Sequence, residues 1–221
     1  MVHQKKLGFP YNLLNFYLIM FAIAAPPLFL RLNKVNTITL INQTSTQYDA
    51  IIAQCRAIFE KKNQDYGPSW RIMRVSSLID QIYIKATRIR TIEEKGQQKI
   101  DEGVESEWMG IINYCIMGLI QLEETLINQE LNEAELLQAY DKQVSLTKSL
   151  MEQKNHDYGE IWRDMLVSTF TDMLLMRVNR MHQIIGNDGK TLASEGVDSN
   201  LMDMINYSIF AMIKIGEKSN K

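Results

Sequence analysis

The sequence predicts an all-α protein of two tandem three-helix repeats, packed as a pseudo-two-fold helical bundle and preceded by a hydrophobic N-terminal segment. Helix breakers are few, because the 221 residues include only 4 Pro and 11 Gly, and 13 residues are Met. Apolar residues recur at helical spacing, and no segment alternates with a period of two for long enough to indicate a strand. The chain also repeats itself: residues 48–92 align with residues 140–184, and 16 of those 45 positions are identical.

The overall composition excludes two broad classes of protein. Lys plus Arg is 24 and Asp plus Glu is 26, so the net charge of −2 argues against binding nucleic acid through bulk charge. Hydrophobic residues make up 46% and charged residues 23%, which is typical of a globular rather than a disordered chain. The two cysteines, Cys55 and Cys115, lie in apolar helical stretches and predict buried thiols rather than a disulfide framework.

Residues 1–42 form a hydrophobic extension that has no counterpart in the repeats. The stretch 7–30 contains no charged residue and is long enough to cross a bilayer, although Pro10 and Pro26 interrupt it. Three interpretations stay open: a membrane anchor, a signal peptide with Ala22-Ile23-Ala24 as its cleavage site, or an upstream extension foreign to the natural product. The rest of the chain has the character of a cytoplasmic protein, with inner-membrane anchoring as the alternative if residues 7–30 are genuine.

The first repeat is predicted over residues 43–127. Residues 48–59 have the i, i+3, i+4, i+7 spacing of an amphipathic helix, and the hydroxyl side chains of residues 44–46 offer N-caps. Gly67 and the proline after it end that pattern with a turn. Apolar residues at helical spacing over 78–92 and 108–119 then predict the second and third helices.

The second repeat is predicted over residues 128–221 and follows the same order of helices. Asn132, with Glu135 three residues later, has the spacing of a capping box that opens its first helix. A three-helix unit of about 75 residues has a thin core, so the two repeats should pack on each other. Further pairing of two chains into a homodimer is left open.

Polar residues recur between the repeats as faithfully as apolar ones. The string Lys-Asn-x-Asp-Tyr-Gly-x-x-Trp-Arg occupies 62–71 and again 154–163. Lys and Arg bind phosphate oxygens, and aromatic rings stack on bases, so these residue types suit a nucleotide. The nucleotide- or phosphate-binding candidates are Lys62, Asn63, Asp65, Tyr66, Trp70, Arg71, Lys85, Arg88 and Asn113, and then Lys154, Asn155, Asp157, Tyr158, Trp162, Arg163, Arg177, Arg180 and Asn206. A shared turn with a core tryptophan, followed by a solvated helix face, is the structural alternative.

Carboxylates cluster near the predicted start of each third helix. They suit the positive end of a helix dipole, but they also suit Mg²⁺, which binds one or two carboxylates together with phosphates. Magnesium is therefore the cofactor hypothesis. The metal-ligand candidates are Glu102, Glu105, Glu195, Asp198 and Asp203. No Walker A, dinucleotide, zinc or nucleophile-elbow motif is present in the sequence, so no catalytic residue is assigned.

The doubled string, together with Asp203-Met-Ile-Asn-Tyr, resembles the nucleotide modification associated domain 1 family in its tandem form, over about residues 46–217. That resemblance implies a nucleotide or modified nucleotide as the ligand. Part of the pattern is also similar to the all-α nucleoside triphosphate pyrophosphohydrolases, which implies Mg²⁺-dependent hydrolysis of phosphoanhydrides. The chain departs from that class because it lacks a clear Glu-Glu-x-x-Glu helix. Gly110 also stands opposite Asp203, so the first repeat would be impaired if Asp203 were a metal ligand. A non-catalytic binding module is the alternative.

Overall fold

A computed structural model describes residues 26–97, 103–126, 129–190 and 195–219, with side chains from Gln43 onward. The chain divides into two compact units, Met1–Asn42 and Gln43–Lys221, and the packing below lies within the second unit. Most of the hydrophobic stretch 7–30 lies outside the described residues. Among the described helices, none is long and apolar enough to span a membrane. The cytoplasmic location and the homodimer stay predictions.

The described residues form α-helices without strands, which confirms the all-α class. The helices are α1 (Pro26–Tyr66), α2 (Val75–Lys95), α3 (Val104–Leu122), α4 (Glu133–Tyr158), α5 (Val167–Gly186) and α6 (Val197–Ser219). Short 3-10 helices at Ser69–Ile72 and Ile161–Asp164 follow α1 and α4, and a third at Glu124–Leu126 follows α3. The first repeat therefore contains α1 to α3, and the second repeat contains α4 to α6.

The predicted start of the first helix is wrong, whereas the start of α4 is right. Thr44 lies inside α1, which is already helical at Pro26, and its hydroxyl accepts a hydrogen bond from Arg163 at 2.7 Å instead of capping the helix. The capping box that opens α4 forms as predicted. Asn132 Oδ1 accepts from the Glu135 amide at 3.0 Å, and the Asn132 amide donates to Glu135 Oε2 at 2.9 Å. A capping box can be recognised in the sequence because its two residues are only three positions apart.

The two repeats share one hydrophobic core. Helices α2 and α3 pack together within the first repeat, as α5 and α6 do within the second, while α2 contacts α5 and α3 contacts α6 across the repeats. The largest fully buried side chains include Tyr48, Trp108 and Tyr140. Cys55 and Cys115 are both buried and unpaired, as the sequence predicts. Neither repeat therefore folds around a core of its own.

Two asparagines connect the repeats in a reciprocal way. Tyr140 of α4 donates to Asn113 Oδ1 at 2.9 Å, and the Asn113 amide donates to the Cys55 carbonyl at 3.0 Å. In the related contact, Tyr48 of α1 donates to Asn206 Oδ1 at 3.2 Å, and the Asn206 amide donates to a carbonyl of α4 at 3.4 Å. A pseudo-two-fold arrangement produces this exchange. Both asparagines were predicted to bind ligand, but their side-chain amides satisfy buried polar groups between the repeats.

Candidate functional site

Helices α1 and α4 end in the same turn. Gly67 and Gly159 both have φ of 67°, a left-handed conformation that glycine adopts without strain. The 3-10 helix after each glycine buries a tryptophan, Trp70 in one repeat and Trp162 in the other. Within the first turn, the Asn63 amide donates to the Phe59 carbonyl at 2.7 Å. The glycine and tryptophan of the repeated string are thus parts of a structural turn.

The arginines that follow the tryptophans bind protein groups. Arg71 donates to Gln121 Oε1 at 2.5 Å and to the Leu126 carbonyl at 2.6 Å, so it fastens the turn to the end of α3. Arg163 donates to Glu217 Oε1 of α6 at 2.7 Å and to the Thr44 hydroxyl of α1. Since these guanidinium groups have partners within the fold, the prediction that they bind phosphate has no support from their positions.

The first repeat contains a cavity of about 620 Å³ behind this turn. Its walls come from the end of α1, the following 3-10 helix, α2 and α3. Three methionines, Met73, Met109 and Met117, line it together with aromatic, aliphatic and polar side chains. The predicted residues that the structure brings together there include Lys62, Tyr66, Trp70 and Lys85, and they are joined by Phe59 and Tyr114.

One wall of the cavity is formed by Gly110 on α3. A side chain at this position would meet Lys85, because an ideal Cβ would lie 2.6 Å from Lys85 Cε. The Lys85 ammonium group is 3.1 Å from Glu107 Oε2, and Arg88 donates to the other oxygen of the same carboxylate. Glu107 is only 4% exposed, and these cations compensate its burial.

The equivalent cluster in the second repeat is arranged around Asp203. Its carboxylate oxygens lie 2.6 Å from the Lys154 ammonium group and 2.6 Å from the Arg177 guanidinium group. Arg177 also donates to Asn200 Oδ1 at 2.9 Å and to the Tyr207 hydroxyl at 3.1 Å. Asp203 is 3% exposed, so this carboxylate is enclosed by its cations.

The two clusters differ by the position of one carboxylate. Glu107 aligns with Asn200, and Gly110 aligns with Asp203, so the acidic group moves by three residues, about one helical turn. In the second repeat both cations bind the moved carboxylate. In the first repeat Lys85 binds Glu107, whereas Lys62 forms no ion pair with a described residue and lines the cavity. Both repeats therefore enclose one carboxylate, but the lysine of the repeated string is ion-paired only in the second repeat among the described residues.

The remaining candidates lie outside the cavity wall. Asp65, Asp157 and Tyr158 are exposed, whereas the Asn155 amide donates to the buried Met151 sulfur at 3.2 Å. Trp162 stacks on Phe210, with ring centroids 4.2 Å apart. The predicted candidates that do not line the cavity are Asp65, Arg71, Arg88, Lys154, Asn155, Asp157, Tyr158, Trp162, Arg163, Arg177, Arg180 and Asn206.

The metal-ligand candidates do not come together within the described residues. Glu102 lies outside them, and Glu105, Glu195 and Asp198 are exposed near the starts of α3 and α6. Asp203 is already neutralised by two cations. No group of three or more His, Cys, Asp or Glu side chains that could hold a metal ion occurs in the part of the chain that the structure describes. The magnesium hypothesis stays a prediction.

Several cavity residues were not predicted, namely Phe59, Ser106, Gly110, Tyr114 and the wall methionines. A signal for them does exist in the sequence. Ser106, Met109, Gly110, Asn113, Tyr114 and Met117 follow the i, i+3, i+4 spacing of one helix face. That face combines a glycine, polar side chains and flexible methionines, so it differs from the aliphatic face of α3 that packs into the core.

The family described as nucleotide modification associated domain 1 matches the chain twice, over residues 62–122 and 154–215. Together the two matches cover more than half of the chain, and each contains one of the equivalent clusters. Neither the curated proteins nor the solved structures gave a match. The family match thus confirms the resemblance and the two-copy form that the sequence predicts.

Proposed function

Because the chain belongs to the nucleotide modification associated domain 1 family, we propose that the cavity of the first repeat binds a nucleotide. Its phosphate binds Lys62 and Lys85 beside Gly110, and its base lies among the aromatic rings. The observation that carries the proposal is the ion-paired cluster of the second repeat. There the equivalents of the two lysines, Lys154 and Arg177, bind the carboxylate of Asp203, where the first repeat has Gly110.

The phosphate end of the proposed site rests on the difference between Gly110 and Asp203. Lys62 has no carboxylate partner among the described residues and Lys85 shares Glu107 with Arg88, so the two lysines can bind an external anion, and lysine is a common phosphate ligand. Lys62 lines the cavity without an ion pair to a described residue, so a phosphate can bind it without displacing a partner. Lys85 lies against Gly110, where no side chain separates it from the cavity.

The base end rests on the shape and chemistry of the wall. A cavity of about 620 Å³ falls within the range of small-molecule sites, which are mostly apolar with a few polar groups. Tyr66 and Tyr114 provide rings that can stack on a base of either size. The three wall methionines are flexible and polarisable, so they can adapt to a substituent on the base.

The proposal is binding without a hydrolytic step. The described carboxylates form no group of three or more metal-binding side chains, so we propose no magnesium-dependent cleavage of a phosphoanhydride. Glu107 and Asp203, which are both buried, each bind two cations instead. The function supported best is therefore that of a nucleotide-binding module, which matches the non-catalytic alternative from the sequence.

The test is to fill the open position with an internal anion. We expect Gly110→Asp to reproduce the arrangement of the second repeat, bind Lys62 and Lys85, and abolish nucleotide binding measured by isothermal titration calorimetry. Gly216→Asp is the matched control, because Gly216 is an exposed helical glycine with open space around its Cβ position. It adds the same charge and should leave binding unchanged. Unaltered binding by a folded Gly110→Asp variant would contradict the proposed site.

A second pair of variants separates binding from stability. Lys62 is exposed and lacks an ion pair among the described residues, so Lys62→Met should weaken nucleotide binding while leaving the urea midpoint nearly unchanged. Lys154→Met removes the equivalent lysine from an enclosed carboxylate, so it should lower the midpoint and leave binding unchanged. The opposite pattern would assign the ligand to the second repeat.

A further inference from the structure

We infer that the nucleotide bound by the first repeat is a nucleoside monophosphate rather than a triphosphate. This inference rests on the proposed function and specifies its ligand. It follows from the number of cations around the cavity and from the size of the anion that the second repeat encloses. Each of these observations limits the ligand to one anionic group.

The charge at the cavity matches a single phosphate. Among the described residues, Lys62 and Lys85 are the cations that line it. Glu107 is bound to Lys85 at 3.1 Å and also to Arg88, so Lys62 is the cation without a carboxylate. A phosphomonoester carries about −1.5 to −2 charges at neutral pH, and each further phosphate adds negative charge. The added charge would lie near the Glu107 carboxylate without a cation of its own, and like charges repel.

The second repeat indicates how large an anion the two cations enclose. Lys154 and Arg177 each contact a different oxygen of one carboxylate, and that carboxylate is nearly inaccessible to solvent. One terminal phosphate beside Gly110 would bind Lys62 and also contact Lys85, which keeps Glu107 as its other partner. A triphosphate chain usually binds a glycine-rich loop or a metal ion, and the cavity wall contains neither a glycine-rich loop nor a carboxylate.

Glu107 then acts as a specificity residue that keeps the charge of the site low. The second repeat has an amide at the equivalent position, Asn200, so the fold tolerates an uncharged side chain there. Glu107→Gln should release Lys85 and reduce repulsion of a longer phosphate chain. The expected result is a shift of about tenfold in relative affinity towards the triphosphate. Unchanged relative affinity in the folded variant would show that Glu107 does not set the preference.

The deciding experiment is a calorimetric titration of the full chain with matched series of nucleoside, mono-, di- and triphosphate for each of the four deoxynucleosides. Inorganic phosphate is titrated separately, and every series is run with Mg²⁺ and with a chelator. We expect the monophosphate of at least one base to bind about tenfold or more tightly than its nucleoside and its triphosphate, regardless of Mg²⁺. Triphosphate binding equal to or tighter than monophosphate binding would overturn the inference and leave the proposed function standing. Absence of binding by every nucleotide would overturn the proposed function itself.

Discussion

Replacing Asp203 by asparagine is expected to destabilise the protein, because its carboxylate is the anion of a buried cluster. The substitution keeps the size of the side chain and removes its charge. Arg177, which is 8% exposed, then loses an ion pair at 2.6 Å, and Lys154 loses another at the same distance. Helix α6 should stay formed, since asparagine at this position changes no backbone hydrogen bond.

The expected loss of stability depends on which hydrogen bonds or hydration Arg177 and Lys154 keep in the variant. Removing one partner of a fully buried ion pair destabilises a protein by about 3–5 kcal/mol. Here Arg177 keeps its hydrogen bonds to Asn200 and Tyr207, and the Lys154 side chain is 43% exposed and can be hydrated. We therefore expect a loss of about 2–3 kcal/mol, below the fully buried case. For a domain of this size that loss lowers Tm by about 4–12 °C.

Urea denaturation followed by circular dichroism measures this loss, with the slope of the transition checked for constancy. Asp157→Asn is the matched control, because Asp157 is an exposed carboxylate that lies 3.1 Å from the ring of the neighbouring His156. It should change the free energy of unfolding by less than about 0.5 kcal/mol. If Asp203→Asn changed the free energy of unfolding as little as the control, the ion pairs of Asp203 with Lys154 and Arg177 would contribute little to stability. The interpretation of Gly110 as the position of a missing carboxylate would then be contradicted. The metal-ligand hypothesis for Asp203 would then regain support.

Three further results are expected. Asp203→Gly should open the second cluster, so calorimetry should detect a second, weaker nucleotide site per chain. Tyr140→Phe should destabilise the fold by about 1–2 kcal/mol in urea, because it leaves Asn113 Oδ1 buried without its 2.9 Å hydrogen bond. Burial raises the pKa of the Cys55 thiol to about 12 and raises that of Cys115 as well. Both thiols should therefore resist an aromatic disulfide reagent at pH 8 until urea unfolds the chain.

Much of the fold was predictable because the relevant signals are local. The helical spacing of apolar residues predicts the helices, and the capping box at Asn132 needs partners only three residues apart. The turn after α1 can also be predicted from the sequence, because glycine readily adopts the left-handed conformation found at position 67. The start of α1 was not predictable in this way. Thr44 has the chemistry of an N-cap, but its partner is Arg163, 119 residues away in the chain.

The candidate site was only partly predictable, because a repeated polar residue has two possible causes. The sequence predicts that Arg71 binds phosphate, because arginine is a common ligand of phosphate oxygens and this one recurs in both repeats. The structure shows that Arg71 is partly buried and binds Gln121 and a backbone carbonyl, so its identity has a structural reason. Asn113 has a similar reason in its contact with Tyr140. Lys62 differs from both, because it is exposed and forms no ion pair with a described residue.

The comparison of the two repeats also yields a quantitative expectation. In the second repeat the anion is covalently part of the fold, and its loss is expected to destabilise the protein by about 2–3 kcal/mol. In the first repeat the equivalent anion must come from solution. A ligand present at 100 times its dissociation constant stabilises the folded state by about 2.7 kcal/mol. At that ligand concentration the nucleotide should stabilise the chain by about as much as Asp203→Asn destabilises it. In a thermal-shift assay, saturating ligand should raise Tm by about as much as Asp203→Asn lowers it, and Gly110→Asp should remove this response.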